Sequence, residues 1–275
     1  MKKKISFIDL FIDEWHANNY PKWFAEAPLG DQFEIAYAWE EAPKPEGRPL
    51  KQWCLEYGVT PVATLEEAVD KADCLCILAP SNPEVHERLS EYALTSGKPV
   101  YLDKPFAPSK AAAERIFARA AAGKTPLMSS SALRYADELV SQQIQAIHPD
   151  IFTTTGGGRS YHEYAIHQLE MIVSVMGTNV SRVIPSGDAT RASVILEYAD
   201  GRRASLAYSP CYPFTVTAGS AAAQKSFVFS ALNHTFQNLI ADILKFYQTG
   251  VCPIPQEQTV AIAALLEQTV AALEG

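Results

Sequence analysis

A chain of 275 residues, 48% hydrophobic and 20% charged, is long enough for one large or two ordinary globular domains and too apolar for disorder. Its formal net charge of −8 excludes the concentrated excess of Lys and Arg on which binding to nucleic acid or an anionic membrane rests. Cys54, Cys74, Cys76, Cys211 and Cys252 are odd in number and show no CxxC spacing, so neither a disulfide framework nor a metal site is expected. Lys2, Lys3 and Lys4 precede an apolar run, but Asp9 and Asp13 interrupt it and no small-residue cleavage site follows. No stretch reaches the ~18 uninterrupted apolar residues of a spanning helix, and the expected location is the cytoplasm.

In chain order, "KISFID", "FEIAYAW", "DCLCILA" and "KPVYLD" read as strands, with helices around 15–27, 48–57, 84–97 and 109–122. Near-continuous apolar strands alternating with amphipathic helices predict a parallel sheet covered on both faces. Cys74 and Cys76 fall on one side of a strand and are expected to be packed thiols. Val85, Leu89, Tyr92 and Ala93 repeat at helical spacing, and Gly97 stands where a C-terminal cap belongs.

After "GKTPLMSSSALRY" the pattern changes. A helix is predicted over 134–147, then "YHEYAIHQLEMIVSVMG" as a strongly amphipathic one, then several strands in which Asp200-Gly201 marks a hairpin. Two helices end the chain, with apolar stripes at Phe236, Leu239, Ile240, Ile243, Leu244 and Tyr247 and at Ile262, Leu266, Val270 and Leu273. The fold class is therefore α/β: a Rossmann-like parallel-sheet domain over 1–126, followed over 127–275 by an α+β domain with an open, mainly antiparallel sheet.

Four stretches could carry chemistry. The opening "ISFIDLFIDEWH" has the strand-to-helix form of a nucleotide-binding turn, yet none of the 14 glycines precedes Gly30, and the turn offers Asp9, Phe11, Asp13 and Glu14 instead. Glu40, at the end of the second strand, is placed to accept ribose hydroxyls and to disfavour the extra phosphate of NADP; a merely solvated carboxylate is the alternative. In "LAPSNPEVHE" a strand ends in a turn containing Ala79, Pro80 and Asn82, with His86 in the helix beyond, where open parallel sheets collect ligands or where the prolines only shape the turn. In "VYLDKPFAPS", Asp103 and Lys104 again follow a buried strand, and a partly desolvated ammonium there would be a strong local donor.

On the later amphipathic helix, Glu163, His167 and Glu170 share one face, and Ile166, Leu169, Val173 and Met176 line another. A solvated polar face is the simpler reading of that spacing. His162 and His167 are five apart, roughly 140° around a helix, which excludes an HExxH zinc motif.

The run from His86 to Ala107, with "GKPVYLDKPFA", resembles the segment of the Gfo/Idh/MocA oxidoreductase family that ends in its Glu-Lys-Pro motif, with Asp103 in place of the usual Glu. The resemblance continues through "SALRY", "GGGRSYHEYAIHQLEMIVSVMG" and the final "PIPQEQTVAIAALLEQTVAALEG". It implies a nicotinamide-dependent oxidoreductase acting on a sugar, cyclitol or related polyol. It also implies catalytic roles for Lys104, His167 and Glu163, the last standing where the family usually has Asp. By the same resemblance Asp9, Phe11, Glu40, Ala79, Pro80, Asn82, His86, Asp103 and Lys104 would touch the cofactor, NAD rather than NADP, and Arg134, Tyr164 and His167 the substrate. Association of copies through the sheet at about 180–231, as a dimer or tetramer, is implied as well.

The acidic opening turn leaves two alternatives: a relative that has lost dinucleotide binding and serves as a ligand-binding or assembly subunit, and a cofactor-free lyase using His167 and Glu163 as acid and base.

Overall fold

In the computed structural model, which describes residues 1–274, buried strands alternate with helices up to Met128. Strand β1 (Lys3–Asp9) leads to α1 (Trp15–Glu26), β2 (Phe33–Glu40) to α2 (Leu50–Tyr57), and the short β3 (Thr60–Pro61) to α3 (Leu65–Lys71). Then come β4 (Cys74–Ile77), α4 (Pro83–Ser90), β5 (Val100–Leu102), α5 (Lys110–Ala122) and β6 (Leu127–Met128). All the ladders are parallel and the order is β3-β2-β1-β4-β5-β6. Strand order reverses between β1 and β4, and sheets of this kind collect ligands outside the carboxyl ends of the strands at such a reversal.

Ile5, Phe7, Ile8, Leu75, Cys76, Ile77, Val100, Tyr101 and Leu102 are all buried, which is why these strands show no alternation in sequence. Helix α3, absent from the sequence expectation, starts on a reciprocal cap: Thr64 Oγ1 accepts from Glu67 N at 3.1 Å, and Glu67 Oε2 accepts from Ala63 N at 2.8 Å. The helix expected over 84–97 ends at Ser90; a 3₁₀ turn at Ala93–Thr95 carries the chain to Gly97, whose φ is 71°.

Beyond β6 the single helix predicted over 134–147 is replaced by a 3₁₀ turn (Ala132–Tyr135) and two one-turn helices, α6 (Asp137–Val140) and α7 (Gln143–Ala146). Two features break it. Ala136 takes ψ 138° while Asn238 Nδ2 donates to Tyr135 O and Asp137 Oδ1, and Gln142 is left-handed at φ 60°.

There follow β7 (Ile151–Gly156), α8 (Tyr161–Met176), β8 (Val180–Asp188), β9 (Arg191–Tyr198), β10 (Arg203–Tyr208), β11 (Thr215–Ser220), β12 (Lys225–Phe229), α9 (Thr235–Thr249) and α10 (Gln256–Glu274). The second sheet has the order β12-β11-β7-β10-β9-β8, antiparallel except between β7 and β10. The Asp200-Gly201 hairpin joins β9 to β10, with Gly201 at φ 89°. One face of this sheet packs Val194, Leu196, Leu206 and Val216 into a core with Ile166, Leu169 and Val173 of α8 and Ile262 and Leu266 of α10. The other face carries hydroxyl pairs, Thr153 with Ser205 at 2.9 Å and Thr155 with Thr215 at 2.8 Å, and exposes Ile151, Ile195 and Val228.

By contacts the chain divides into residues 1–130 with 239–255, and residues 131–238 with 256–275. The sequence reading kept everything after residue 126 in the second unit. Most of α9 instead belongs with the first, because its apolar stripe packs there and the buried Tyr247 hydroxyl donates to Leu75 O of β4 at 2.8 Å. Cys54, Cys74 and Cys76 are buried free thiols. Among the described residues no helix is long and apolar enough to cross a membrane.

Tyr247→Phe removes a buried donor and keeps the ring. It is expected to destabilise the first unit by about 1 kcal/mol in chemical denaturation. An unchanged midpoint would contradict the role given to this hydroxyl.

Candidate functional site

At the carboxyl end of the first sheet, Asp9, Phe11 and Glu14 stand at the i, i+2, i+5 spacing of a Gly-x-Gly-x-x-Gly turn. Asp9 is fully buried at the end of β1. Its Oδ1 accepts from Ala79 N at 3.0 Å and from Phe11 N at 3.3 Å, so one oxygen ties the turn after β1 to the turn after β4 across the reversal of strand order. Its Oδ2 is buried with no hydrogen-bond partner. Burial pushes the carboxyl well above the usual range, against the two N–H bonds, which favours its protonated form. Ala79, held by this bond, is left-handed at φ 61°, a conformation uncommon outside glycine.

The rest of the turn is occupied by its own side chains. Glu40 Oε2 accepts from Ile12 N at 3.0 Å, and Oε1 from Leu50 N at 3.2 Å. Asp13 accepts from Arg48 through Nε (3.0 Å), Nη2 (2.7 Å) and the main-chain N (2.9 Å), and from Asn18 Nδ2 at 2.9 Å. Burial acts upward on the Asp13 carboxyl, and the Arg48 hydrogen bonds outweigh it, holding the pKa at about 2. Lys44 Nζ lies 3.1 Å from both Asp13 O and Glu14 Oε1, which fastens the segment after β2 to the turn.

A dinucleotide pyrophosphate needs main-chain N–H groups and close backbone approach here. Phe11 N and Ile12 N are already bonded to carboxyl oxygens, Phe11 carries a side chain where the fingerprint has its second glycine, and Asp13 and Glu14 add negative charge. With Asp9 and Glu40 bonded in this way, the turn offers the pyrophosphate neither of those two donors. Asp9 and Phe11, expected to contact a cofactor, instead close the turn, and Glu40, expected to take ribose hydroxyls, holds two main-chain N–H groups.

Further along the same edge, Lys104 follows β5 and is only 8% exposed; its Nζ donates to Pro80 O at 3.1 Å. The expected cofactor residue Asp103 points into the interior. One oxygen pairs with Nδ1 of the buried His16, in the first turn of α1, and the other accepts from Tyr101 Oη at 3.1 Å. The His16 ring stacks on Tyr20 with centroids 4.9 Å apart. Burial lowers the His16 pKa, favouring the neutral ring that donates from Nδ1; Asp103, pushed up by its own burial, is held below the usual range by His16 and Lys104. Sequence reasoning missed His16, although "DEWHANNY" places it two residues beyond the end of the acidic run. His86 is also interior: Nε2 lies 2.7 Å from Leu78 O and Nδ1 3.1 Å from Phe106 O, so it braces the end of β4. Asn82 Nδ2 donates to Glu84 Oε1 at 2.9 Å at the start of α4.

In the second unit, Ser160 caps α8 by accepting from Glu163 N, and the helix presents a half-buried His167. Ser131 Oγ lies 2.7 Å from His167 Nδ1 and accepts from Leu133 N at 3.2 Å. Glu163, expected to orient this ring, pairs with Arg159, and Ser131 supplies the bond to Nδ1. Ser131 N donates to Glu170 Oε1 at 3.2 Å, Glu170 Oε2 accepts from Arg134 Nε at 2.7 Å, and Arg134 Nη1 donates to Gln258 Oε1 at 2.7 Å. Arg134 Nη2 is buried with no hydrogen-bond partner. Glu170 lies on the polar face read from the sequence but is buried by this pairing. Tyr164 and Phe214 flank His167 edge-on, at 5.6 and 5.5 Å. Gly156 and Gly158 permit this: a Cβ at Gly156 would fall 2.4 Å from the Phe214 ring, and one at Gly158 2.2 Å from the Tyr164 ring.

Two stability tests follow from these carboxyls. The Asp9 pKa is raised in the folded state, so its contribution falls as pH rises above its unfolded pKa of about 4. Asp9→Asn is expected to gain on wild type by up to about 1.4 kcal/mol per pH unit above that point; a gap independent of pH would contradict the raised pKa. Asp13 has the opposite sign, stabilising above its unfolded pKa and losing that as pH falls towards about 2. Asp13→Asn is expected to cost roughly 1–2 kcal/mol at neutral pH and nothing in strong acid; an equal loss at both would contradict the ion pair.

Residues 30–130 match the model of an oxidoreductase family with an NAD-binding Rossmann fold, a match that begins after the opening turn. No curated protein matches by sequence. Among solved structures, myo-inositol 2-dehydrogenase from Lactobacillus plantarum shares the fold at TM-score 0.81 and 12% identity, over 100% of this chain and 98% of that one. UDP-N-acetylglucosamine 3-dehydrogenase from Acidithiobacillus ferrooxidans gives 0.81 and 13%, over 99% and 98%. Biliverdin reductase from Synechocystis, solved with biliverdin and NADP+, gives 0.75 and 14%, over 98% of each chain. Residues 30–130, with "GKPVYLDKPFA" inside them, thus resemble the NAD-binding Rossmann part of the Gfo/Idh/MocA oxidoreductase family, and the fold is shared with these solved structures over the full length.

Proposed function

We propose that this protein is an oxidoreductase acting on a hydroxyl or carbonyl group of a sugar, cyclitol or related polyol, with a nicotinamide dinucleotide as its coenzyme. The observation that carries this reading is Lys104, an ammonium withdrawn from water at the carboxyl end of β5 in a sheet of order β3-β2-β1-β4-β5-β6. Burying an ammonium is costly unless donors are used, and Pro80 O takes one of them. A positive charge held at this edge suits an oxygen that gains negative charge during reaction.

His167 is the group we assign to proton exchange with the substrate hydroxyl. Ser131 Oγ has lone pairs for both Leu133 N–H and His167 Nδ1–H, an arrangement that would make Nε2 the exchanging atom. Arg134, with Nη2 unmatched by any protein acceptor, and Tyr164, beside the ring, are the proposed substrate contacts. Glu163 is assigned a supporting electrostatic role through its pairing with Arg159. NAD is preferred to NADP on charge alone, since the extra phosphate would add to the negative charge that Asp13, Glu14 and Glu40 already set around this turn.

The self-bonded opening turn favours a second reading, a chain that keeps the fold and takes a polyol without a dinucleotide. We further propose that copies associate through the open face of the second sheet, where Ile151, Ile195 and Val228 are exposed.

With cyclitols and nucleotide sugars as test substrates and NADH formation as readout, Lys104→Ala and His167→Ala are each expected to lower kcat by roughly 10²-fold or more while the melting temperature stays close to wild type. Near wild-type rates in both would sink the assignment. Light scattering is expected to give a dimer or tetramer, and a monomer at assay concentration would refute the association.

A further inference from the structure

We infer that the turn after β1 is a phosphate cradle filled from within, and that Glu40 opposes a dinucleotide there instead of receiving it. A carboxylate and a phosphate make the same demand on a main-chain N–H: both are anions that accept its hydrogen bond. In this chain Glu40 meets that demand at Ile12 N, and a carboxyl oxygen of Asp9 meets it at Phe11 N. Glu40 is anchored from both ends, since Oε1 also holds Leu50 N at the start of α2. Arg48 and Lys44, in the segment that leads to that second anchor, are engaged with Asp13 and Glu14.

The result is a turn with Phe11 N and Ile12 N bonded to carboxyl oxygens and with Arg48 and Lys44 paired to carboxylates. A pyrophosphate gains this place only by displacing Glu40 from Ile12 N and by tolerating Asp13. The inference rests on the proposed function only in taking a nicotinamide dinucleotide as the probe.

The test is a titration of the full chain with NADH, followed by nicotinamide fluorescence and calorimetry, for wild type, Glu40→Ala, Glu40→Gln and Asp13→Asn. Glu40→Ala frees both N–H groups and is expected to lower the Kd for NADH at least tenfold. Glu40→Gln keeps the shape without the charge and is expected to lower it about threefold. Asp13→Asn is expected to change Kd in the same direction. A higher Kd in the Glu40 variants would show that Glu40 binds ribose, and an unchanged Kd or no binding in any variant would equally overturn the inference. Should Glu40→Ala fail to fold, as judged by circular dichroism, Glu40→Gln carries the same sign.

The two readings fail separately. Wild type that binds NADH and turns over a polyol, with weaker binding in the Glu40 variants, keeps the proposed function and removes the filled cradle. Variants that gain NADH binding while no polyol is turned over keep the cradle and remove the function.

Discussion

A carboxyl shut away from water must find donors or have its pKa raised, and at the end of β1 both hold for Asp9. Its Oδ1 spans the one place in a β3-β2-β1-β4-β5-β6 sheet where two neighbouring strands send their connections in opposite directions. In a nucleotide-binding sheet that gap is where the ligand lies. Here a side chain of the protein crosses it, and the conformations of the turns on either side, including left-handed Ala79, are tied to that bond. Glu40 and the Asp13–Arg48 pair extend the same arrangement outward.

The second buried carboxyl on this edge, Asp103, is paired differently. His16 comes from the first turn of α1, the segment that would lie against the dinucleotide in a glycine-rich turn, and it reaches Asp103 beside Lys104. The loss of glycines and the gain of an imidazole therefore belong to one rebuilt region. In the other unit, polar contacts run from His167 through Ser131, Glu170 and Arg134 to Gln258. Long side chains held at both ends leave His167 little rotational freedom, and three consecutive glycines admit Phe214, Ser209 O and Tyr164 at distances that a Cβ would forbid. The two regions differ in kind: the first encloses its own donors, and the second orients a titratable ring.

Much of the architecture was legible because it depends on periodicity. Continuous apolar strands gave the parallel sheet, the stripe at Ile166, Leu169 and Val173 gave the core face of α8, and Asp200-Gly201 gave the hairpin. The sequence put Lys104 after a buried strand and His167 on a helix, and the fold has them there. Partner choice was not legible. Nothing in the spacing of Glu163 and His167 shows that Ser131, 36 residues earlier, would take Nδ1, because that pairing depends on where the segment after β6 returns. Asp103 read as a ligand contact for the same reason, since its inward rotamer is set by His16, which is 87 residues away. The break of the predicted 134–147 helix depends on Asn238, also remote in sequence. The cap of α3 was available at Thr64 and Glu67 and was overlooked amid weak hydrophobic periodicity.

The central claim is that the main-chain donors of the opening turn are bonded before any ligand arrives. Amide hydrogen exchange of the ligand-free protein, resolved at Ile12, reads this directly. The account predicts slow exchange in wild type that becomes fast when Glu40 loses its side chain, with the amides of β4 unchanged. Fast exchange at Ile12 in wild type would mean an open turn and would contradict it.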